Sequence, residues 1–358
     1  MSFVSVSKIH NVCLVSLGLW LTLCPVLNHA FILDDFDFES NDGPEFNGHV
    51  AAVSPTATID EHKHDQCSVY GYNDLKLGKL LGEGSYGKVQ ETEVKDIGKV
   101  AVKKFQNNND FKMESGFLDV LELATREGTS LNVYRANLAL KTAVQPDFDY
   151  GMISGLGSME TVLCLHLFSG SLSDRMQLPC PLNDAEMLRI AKGIAGGLIV
   201  LREVGIVHRD LKLNNILVNL ESEDSIRVAE AAITDFGLAM PSRGSSLELD
   251  YINNIAGLTY GHHAPECRHR PTSATNASDV FSFGVVLQQI LANQVFSYME
   301  LMVNLDMPWQ MKMPVNSSPV QIFLRGLAVR CMRKHAIKRP TPEQIHREIV
   351  EVMNEHGL

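Results

Sequence analysis

The chain has 358 residues, of which 45% are hydrophobic and 20% charged, a composition typical of a globular protein large enough to bury a substantial core. Its formal net charge of −11 argues against non-specific nucleic-acid binding, which requires a basic surface. The cysteines beyond the N-terminal region are odd in number and widely spaced, which does not indicate a disulfide framework: Cys67, Cys164, Cys180, Cys267 and Cys331.

Residues 1–30 are interpreted as a secretory signal. Lys8 and His10 supply a short positive region, Val12–Leu27 is almost uninterrupted apolar sequence, and Ala30 offers a small residue at the expected cleavage point. The apolar run is short for a membrane span. A cleaved signal peptide is favoured, which predicts entry into the secretory pathway or secretion. An uncleaved signal anchor, and with it membrane attachment, is the alternative.

Residues 31–71 are interpreted as an acidic, disordered linker. Positions 34–65 hold nine acidic residues against a single lysine, a local charge of −8, without lasting hydrophobic periodicity. Phe31 directly after the apolar segment also permits a bipartite plastid presequence, although the acids that follow are untypical of a transit peptide. Two histidines and a cysteine within 62–67 lack a second ligand pair at zinc spacing, so a solvated polar run is favoured over a metal site.

Order is predicted to begin near Tyr72, with a strand that leads into a glycine-rich motif. The motif reads Gly82-Glu83-Gly84-Ser85-Tyr86-Gly87 and continues to Val89. The pattern G-x-G-x-x-G opens a helix in dinucleotide-binding folds, whereas in another class of nucleotide-binding protein it joins two strands. The alternating residues from Val89 to Val94 favour the two-stranded hairpin. Its glycines would let the backbone close over phosphate groups.

The next strand, Val100–Lys103, ends in a lysine. A lysine in a buried strand is costly unless an acidic side chain pairs with it. We therefore expect a glutamate on a helix further along the chain. The helical period alone allows either Glu122 or Glu127.

A buried strand and a long helix come next. Thr161–Phe168 is apolar enough to form a buried strand, and Asp184–Val204 has apolar residues at helical spacing. Asn183 is a suitable N-cap for that helix and Gly205 a suitable terminator. The helix leads into the most distinctive stretch of the chain, Ile206–Val218.

This stretch reads I-V-H-R-D-L-K-L-N-N-I-L-V, two short apolar runs around a dense polar loop. Such a loop is costly to bury unless it has a function. An acidic surface hairpin at Glu221–Asp224 separates it from Asp235-Phe236-Gly237. Further on come Ala264-Pro265-Glu266, an apolar helix that begins near Asp279, and a C-terminal helical region that contains Arg339.

Taken together and in this order, these motifs resemble those of the eukaryotic protein kinase superfamily. Each motif is weak alone, but the combination is specific. The resemblance covers residues 72–352 and implies an α+β, bilobal protein-kinase fold. It implies a small β-rich N-lobe with one regulatory helix, at about 72–168, and a larger, mainly helical C-lobe, at about 169–352. Arg339 is then expected to pair with Glu266, and Asp279 to have a structural role.

The resemblance implies that ATP is the phosphate donor. Lys103 would hold the α- and β-phosphates, and the residues after Glu127 resemble the end of the family's regulatory helix, which favours Glu127 as its partner. Cys164 would be the gatekeeper and the residues after it the hinge. The implied ATP contacts are Gly82, Glu83, Gly84, Ser85, Tyr86, Gly87, Val89, Ala101, Lys103, Leu165, Leu167 and Leu217.

The catalytic and metal-binding roles follow by position in the matched motifs. Phosphoryl transfer proceeds through a loose transition state, so the protein mainly positions groups and neutralises charge. Asp210 would orient the substrate hydroxyl and accept its proton, and Lys212 would contact the transferring phosphate. Asn215 and Asp235 would bind Mg²⁺.

The resemblance also points to serine/threonine specificity and to regulation. A lysine two residues after Asp210, and Thr259 shortly before the A-P-E motif, resemble the pattern of the serine/threonine-specific branch. Membership of that branch implies protein substrates. The C-terminal helices resemble the receptor-like and tyrosine-kinase-like branches. Arg209 is typical of kinases that an upstream kinase activates. The candidate phosphorylation sites are Ser242, Ser245 and Ser246.

A pseudokinase that acts as an ATP-binding scaffold is the alternative. Such proteins usually lack the strand lysine, the loop aspartate or the D-F-G aspartate, and all three are present here as Lys103, Asp210 and Asp235. The unusual Gly257-Leu258-Thr259 and the open choice of glutamate favour the scaffold. The complete set of motifs favours the enzyme.

Overall fold

A four-stranded antiparallel sheet carries the first motifs in the computed structural model. Its strands are β1 (Lys76–Gly84), β2 (Gly87–Val94), β3 (Gly98–Phe105) and β4 (Val162–Leu165), in that order across the sheet. Gly84 lies opposite Gly87 where β1 turns into β2, so the glycine-rich motif forms a hairpin and does not open a helix.

The structure describes residues 76–84, 87–94, 98–142, 162–242, 262–267, 273–297, 300 and 317–358. The interpretations of the signal, the linker and the 62–67 polar run therefore lie outside the described residues, and the domain boundaries stay predictions. The same holds for five predicted site residues: Ser85, Tyr86, Ser245, Ser246 and Thr259.

One helix, α1 (Asn108–Ala124), packs against this sheet. It begins where the side chain of Asn107 accepts a hydrogen bond from the backbone N–H of Asp110, at 2.9 Å. It ends at Thr125, whose hydroxyl donates to the carbonyl of Leu121 at 2.8 Å. Its buried face follows the helical period: Glu114, Phe117, Leu118 and Leu121.

The rest of the described chain is mainly helical, as predicted. Its helices are α2 (Leu172–Met176), α3 (Asp184–Glu203), α4 (Asn276–Ala292), α5 (Pro319–Cys331) and α6 (Pro342–Glu355). Its short strands are β5 (Gly170–Ser171), β6 (Ile206–Val207), β7 (Ile216–Leu220), β8 (Val228–Ile233) and β9 (Met240–Pro241). They form two small antiparallel sheets, β5-β7-β8 and β6-β9. This α+β division confirms the predicted fold class.

Two helices form the centre of the helical part. α3 begins with a capping box in which Asn183 and Glu186 exchange side-chain-to-backbone hydrogen bonds. In α4 every residue from Ser278 to Leu291 is buried, as its all-round apolar sequence predicts. None of the helices in the described ranges is long and apolar enough to span a bilayer.

A glycine permits the close approach of α4 to α5. A Cβ atom on Gly284 would lie 2.6 Å from Cγ of Met332 and 2.9 Å from Cβ of Cys331. Gly326, on α5, has no such neighbour within 4 Å of its Cβ position.

We therefore expect Gly284→Ala to lower the free energy of unfolding by about 1–3 kcal/mol, because the helices must separate to admit the methyl group. Gly326→Ala is the matched control and should raise it by about 0.5–1 kcal/mol through helix propensity. Urea denaturation of both variants measures the difference. Equal stability of the two variants would contradict the packing described for Gly284.

Candidate active site

A cavity of about 960 Å³ lies between the N-terminal sheet and the helical part. It is large enough for a nucleotide-sized ligand. The predicted motifs that are far apart in the sequence converge on it. Among the described residues that line it are Gly82, Glu83, Gly87, Val89, Ala101, Lys103, Leu165, Leu167, Asp210, Lys212, Asn215, Leu217 and Asp235.

Lys103 joins the two sides of this cavity. Its ammonium nitrogen lies 2.8 and 2.7 Å from the two carboxylate oxygens of Glu114 and 2.8 Å from Oδ1 of Asp235. The lysine side chain is only 8% exposed, and that of Glu114 is 2% exposed. A buried lysine between two carboxylates is the paired arrangement that the strand sequence requires.

Glu114 corrects the prediction of Glu127 as the lysine's partner. α1 ends at Ala124, so Glu127 lies in the exposed segment beyond the helix. Glu122, the other candidate, pairs with Arg135 at 3.2 Å. The periodicity of α1 contained the signal that was missed, because Glu114 lies on the same face as Leu118 and Leu121. An acid at a core position of an amphipathic helix indicates a buried partner.

The charges of this trio are strongly coupled. Burial alone would lower the pKa of Lys103, but Glu114 and Asp235 outweigh burial and raise it. Burial raises the pKa of Glu114 to about 7, in spite of the lysine. Burial would also raise the pKa of Asp235, yet Lys103 outweighs it and holds that pKa below its ordinary value. The lysine therefore stays charged, and Glu114 is the first of the two carboxylates to take a proton.

Asp235 has an unusual backbone. Its φ of 64° and ψ of 77° are rare for a residue other than glycine, and such strain is typical of functional sites. The next residue, Phe236, is buried and contacts the His208 ring edge to face, with centroids 5.2 Å apart. His208 in turn lies 2.9 Å from the carbonyl oxygen of Thr234. The aspartate is thus positioned by buried contacts on both sides.

The polar loop after β6 forms its own hydrogen-bonded group. Oδ2 of Asp210 accepts from the ammonium of Lys212 at 2.7 Å and from the amide nitrogen of Asn215 at 2.9 Å. The same amide nitrogen donates to the Asp210 carbonyl at 2.8 Å. Oδ1 of Asp210 is buried and has no hydrogen-bond partner within the part of the chain that the structure describes. The two carboxylate oxygens therefore differ, since Oδ2 accepts from two donors and Oδ1 is an unsatisfied buried acceptor among the described residues.

Asp279 fixes the backbone of this loop through two hydrogen bonds. Its two carboxylate oxygens accept from the backbone N–H groups of His208 at 2.8 Å and Arg209 at 2.9 Å. Asp279 is 1% exposed, and burial raises its pKa. Arg209 has a φ of 68°, a second strained backbone next to the cavity. The structural role that the sequence predicts for Asp279 is thus to fix the backbone immediately before Asp210.

The apolar part of the cavity follows from the register of the sheet. Ala101 lies opposite Leu165 and Lys103 opposite Leu163, so these side chains share one face. Leu165 and Leu167 line the cavity, as predicted for the ATP contacts. The gatekeeper assignment of Cys164 is wrong, because its side chain lies on the opposite face of the sheet. There it packs with Val94, Val100, Val102 and Val162.

The glycine-rich hairpin forms part of the cavity wall through Gly82, Glu83 and Gly87. Gly87 has a φ of 149°, and a Cβ atom there would lie 2.0 Å from the carbonyl oxygen of Lys104. Only glycine fits at this position. Glu83 and Lys88, on facing strands of the hairpin, form an exposed ion pair at 3.0 Å.

Three residue contacts connect the later motifs to the helical part of the chain. The guanidinium of Arg339 donates to both carboxylate oxygens of Glu266, with an Nη2–Oε2 distance of 2.8 Å, which matches the predicted pair. Ser278 also donates to Glu266, at 2.9 Å. The backbone N–H of Ser242, a predicted regulatory residue, donates to the carbonyl of Gly205 at 2.7 Å.

His262 and His263 lie just before the A-P-E motif and were not singled out by the sequence analysis. Burial lowers the pKa of both histidines, that of His262 to about 4, although the charge of Asp210 opposes this shift. The hydroxyl of Ser282, on α4, donates to the His262 carbonyl at 2.8 Å. Both rings are therefore neutral at physiological pH and lie within the electrostatic reach of Asp210.

Comparison with known proteins places these motifs in one family. The family model described as "Protein kinase domain" matches residues 75–349. A protein of Arabidopsis thaliana named "Probable serine/threonine-protein kinase" is 30% identical over 230 residues, which cover 62% of this chain and 52% of the relative. A protein of the same plant, named "leaf rust 10 disease-resistance locus receptor-like protein kinase-like", is 26% identical over 319 residues, 80% of this chain and 47% of the relative.

A third relative is a cysteine-rich receptor-like protein kinase of Oryza sativa subsp. japonica. It is 30% identical over 229 residues, which cover 62% of this chain and 29% of the relative. The chain thus spans about half, or less, of the length of these relatives.

The variant Glu114→Gln tests the electrostatics of the trio. The folded pKa of Glu114, about 7, exceeds the unfolded value, so the folded state binds more protons between them. The contribution of Glu114 to the wild-type free energy of unfolding should therefore decrease as the pH rises from about 5 to 7.5. Glutamine does not titrate, so the stability of the wild type relative to Glu114→Gln should decline by about 1–3 kcal/mol over that range.

Urea denaturation across this pH range measures the effect. Glu127→Gln is the matched control and should follow the wild type, since Glu127 is exposed and lies beyond α1. The assignment is refuted if Glu127→Gln, and not Glu114→Gln, removes the pH dependence.

Proposed function

The chain belongs to the protein kinase family, and we propose that it transfers the γ-phosphate of ATP to serine and threonine hydroxyl groups of protein substrates. One observation carries the proposal. The trio of Lys103, Glu114 and Asp235 lines the same cavity as the group formed by Asp210, Lys212 and Asn215. Phosphoryl transfer needs positioning and charge neutralisation on both sides of the transferred group, and this arrangement supplies both.

The nucleotide would bind with its phosphates beneath the glycine-rich hairpin. Lys103 would contact the α- and β-phosphates, and Glu114 would keep its ammonium in place. The walls around the adenine would be apolar: Val89, Ala101, Leu165, Leu167 and Leu217. Exposed backbone N–H groups of the hairpin would bind phosphate oxygens without steric conflict.

Asp210 would orient the substrate hydroxyl and accept its proton. The proposal rests on Oδ1, the buried oxygen that has no partner in the described part of the chain. Oδ2 is held by Lys212 and Asn215, so the carboxylate has a defined orientation. Lys212, which holds Oδ2, also lines the cavity, where its charge would offset the charge of a transferring phosphate.

The same cavity has donors suited to Mg²⁺. The amide nitrogen of Asn215 donates to Asp210, which leaves its carbonyl oxygen as the atom that would bind the ion. Asp235 would supply a carboxylate oxygen, and its side chain is 31% exposed toward the cavity. Mg²⁺ typically binds one or two protein oxygens together with substrate phosphates. When bound, it would neutralise charge on the phosphates.

Serine/threonine specificity and upstream activation are also part of the proposal. The relatives described above are named serine/threonine-protein kinase or receptor-like protein kinase. Lys212, two residues after Asp210, contacts it at 2.7 Å, which suits the serine/threonine pattern. A phosphate on Ser242 or a nearby serine would pair with Arg209. Because Arg209 directly precedes Asp210, this pair would act on the catalytic loop.

An Asp210→Asn variant distinguishes the enzyme from an ATP-binding scaffold. We expect transfer from γ-labelled ATP to fall about 10²- to 10⁴-fold, because asparagine cannot accept the proton. Asp224→Asn, in the exposed turn between β7 and β8, is the matched control and should keep wild-type activity. Phosphoamino-acid analysis of the product should give phosphoserine and phosphothreonine. Equal background in wild type and Asp210→Asn, with ATP binding retained in both, would support the scaffold instead.

We further propose that residues 1–30 direct the chain into the secretory pathway by a cleaved signal peptide. The support is the apolar run that ends before Ala30. The mass of the mature protein from a eukaryotic secretory host should correspond to a chain that begins at Phe31. An intact Met1 would rule out cleavage and leave the anchor or a plastid presequence.

A further inference from the structure

A second buried lysine contacts the helix that carries Glu114. Lys141 is 8% exposed and donates to the hydroxyl of Ser115 at 2.9 Å. It also forms an ion pair with Oδ1 of Asp119. A buried lysine is costly unless it is paired, so the position of Lys141 depends on these two contacts with α1.

Lys141 and Lys103 lie on the same face of the N-terminal sheet. Lys141 pairs with Leu165 in an isolated antiparallel bridge, and Leu165 pairs with Ala101 in turn. Directly opposed residues of neighbouring strands share a face, and residues two apart on one strand do so as well. Ala101 and Lys103 are two apart on β3, so both lysines point to the side where α1 lies.

The two lysines contact α1 at different points. Lys103 contacts Glu114, whereas Lys141 contacts Ser115 and Asp119. Glu114 and Asp119 are separated by about 7.5 Å along the helix axis and about 140° around it, given 1.5 Å and 100° per residue. One polar contact, together with the buried apolar face of α1, would restrain the rotation of the helix less strictly than two. Two contacts so separated define both its rotation and its position along the sheet.

We propose that Lys141 is a positioning residue that holds α1 in the orientation in which Glu114 reaches Lys103. The inference rests on the proposed kinase function, in which the lysine–glutamate pair must be in place for transfer. Lys141 does not line the described cavity, so it acts on catalysis through α1. Asp119 is the other half of this contact, and its side chain is 65% exposed.

The exposure of Asp119 makes the test selective. Asp119→Ala breaks the ion pair without opening a cavity in the core, and Asp119→Glu keeps the carboxylate. Lys141→Met removes the charge and retains most of the side-chain volume. The matched control is Lys99→Met, which removes a lysine–glutamate pair, at 2.8 Å from Glu91, elsewhere in the same sheet.

Two measurements are made on each variant of the full chain. The first is kcat/KM for ATP and a protein substrate, with Asp210→Asn as background. The second is hydrogen–deuterium exchange of the backbone amides of residues 108–124, which does not depend on activity. Glu114→Gln serves as the reference for loss of the lysine–glutamate contact.

We expect Lys141→Met and Asp119→Ala to lower kcat/KM about two- to thirtyfold, the range typical of positioning contacts remote from the ligand. Both should accelerate exchange in α1. Asp119→Glu should restore both readouts, and Lys99→Met should change neither. The double variant Lys141→Met/Asp119→Ala should be no worse than the poorer single variant, because both substitutions remove one interaction.

Unchanged exchange in α1 for Lys141→Met and Asp119→Ala would overturn the proposal, whatever happens to activity. Faster exchange with wild-type kcat/KM would overturn the positioning role and leave Lys141 as a purely structural contact. If wild type has no activity above the Asp210→Asn background, the proposed function fails. The exchange data then decide separately whether Lys141 holds the helix.

Discussion

The ion pairs of Lys103 connect the parts of this molecule that the chemistry requires. One ammonium group binds Glu114 from the sheet-packed helix and Asp235 from the helical part of the chain. Because Lys103 and Glu114 are almost fully withdrawn from water, either of them left without its partner would carry a large desolvation cost. The same cost makes the arrangement selective, since the sheet, the helix and the D-F-G segment must adopt one relative geometry to satisfy it.

A second buried carboxylate organises the other side of the cavity. Asp279 accepts hydrogen bonds from two backbone N–H groups, and this fixes the strained backbone at Arg209 just before Asp210. Lys103 and Asp279 share one physical principle: a charge placed in the core and satisfied by several partners positions neighbouring groups more precisely than apolar packing does. Lys141 extends it, because a further buried lysine would hold the helix that carries Glu114.

Sequence reasoning identified most of the site and failed where the assignment depended on face or register. Asp210, Asn215 and Asp235 converge on the cavity as their motifs predict, since each lies in a short motif with little conformational freedom. The glutamate was assigned wrongly to Glu127 because the resemblance placed the end of the helix several residues too far along the chain. Cys164 was assigned to the wrong side of its strand for a similar reason: a shift of one residue reverses the face.

The sequence by itself determined the family, the order of the motifs, the hairpin of the glycine-rich loop and the buried nature of α4. The family follows from the resemblance of the motifs, whereas the hairpin and the burial of α4 follow from local hydrophobic periodicity along the chain. Only the tertiary structure decided that Glu114 pairs with Lys103, that Cys164 lies on the sheet face opposite Lys103, and that Lys141 contacts Ser115 and Asp119. Those pairings join separate elements of the chain, and they depend on how each helix is rotated and each strand is registered against the sheet.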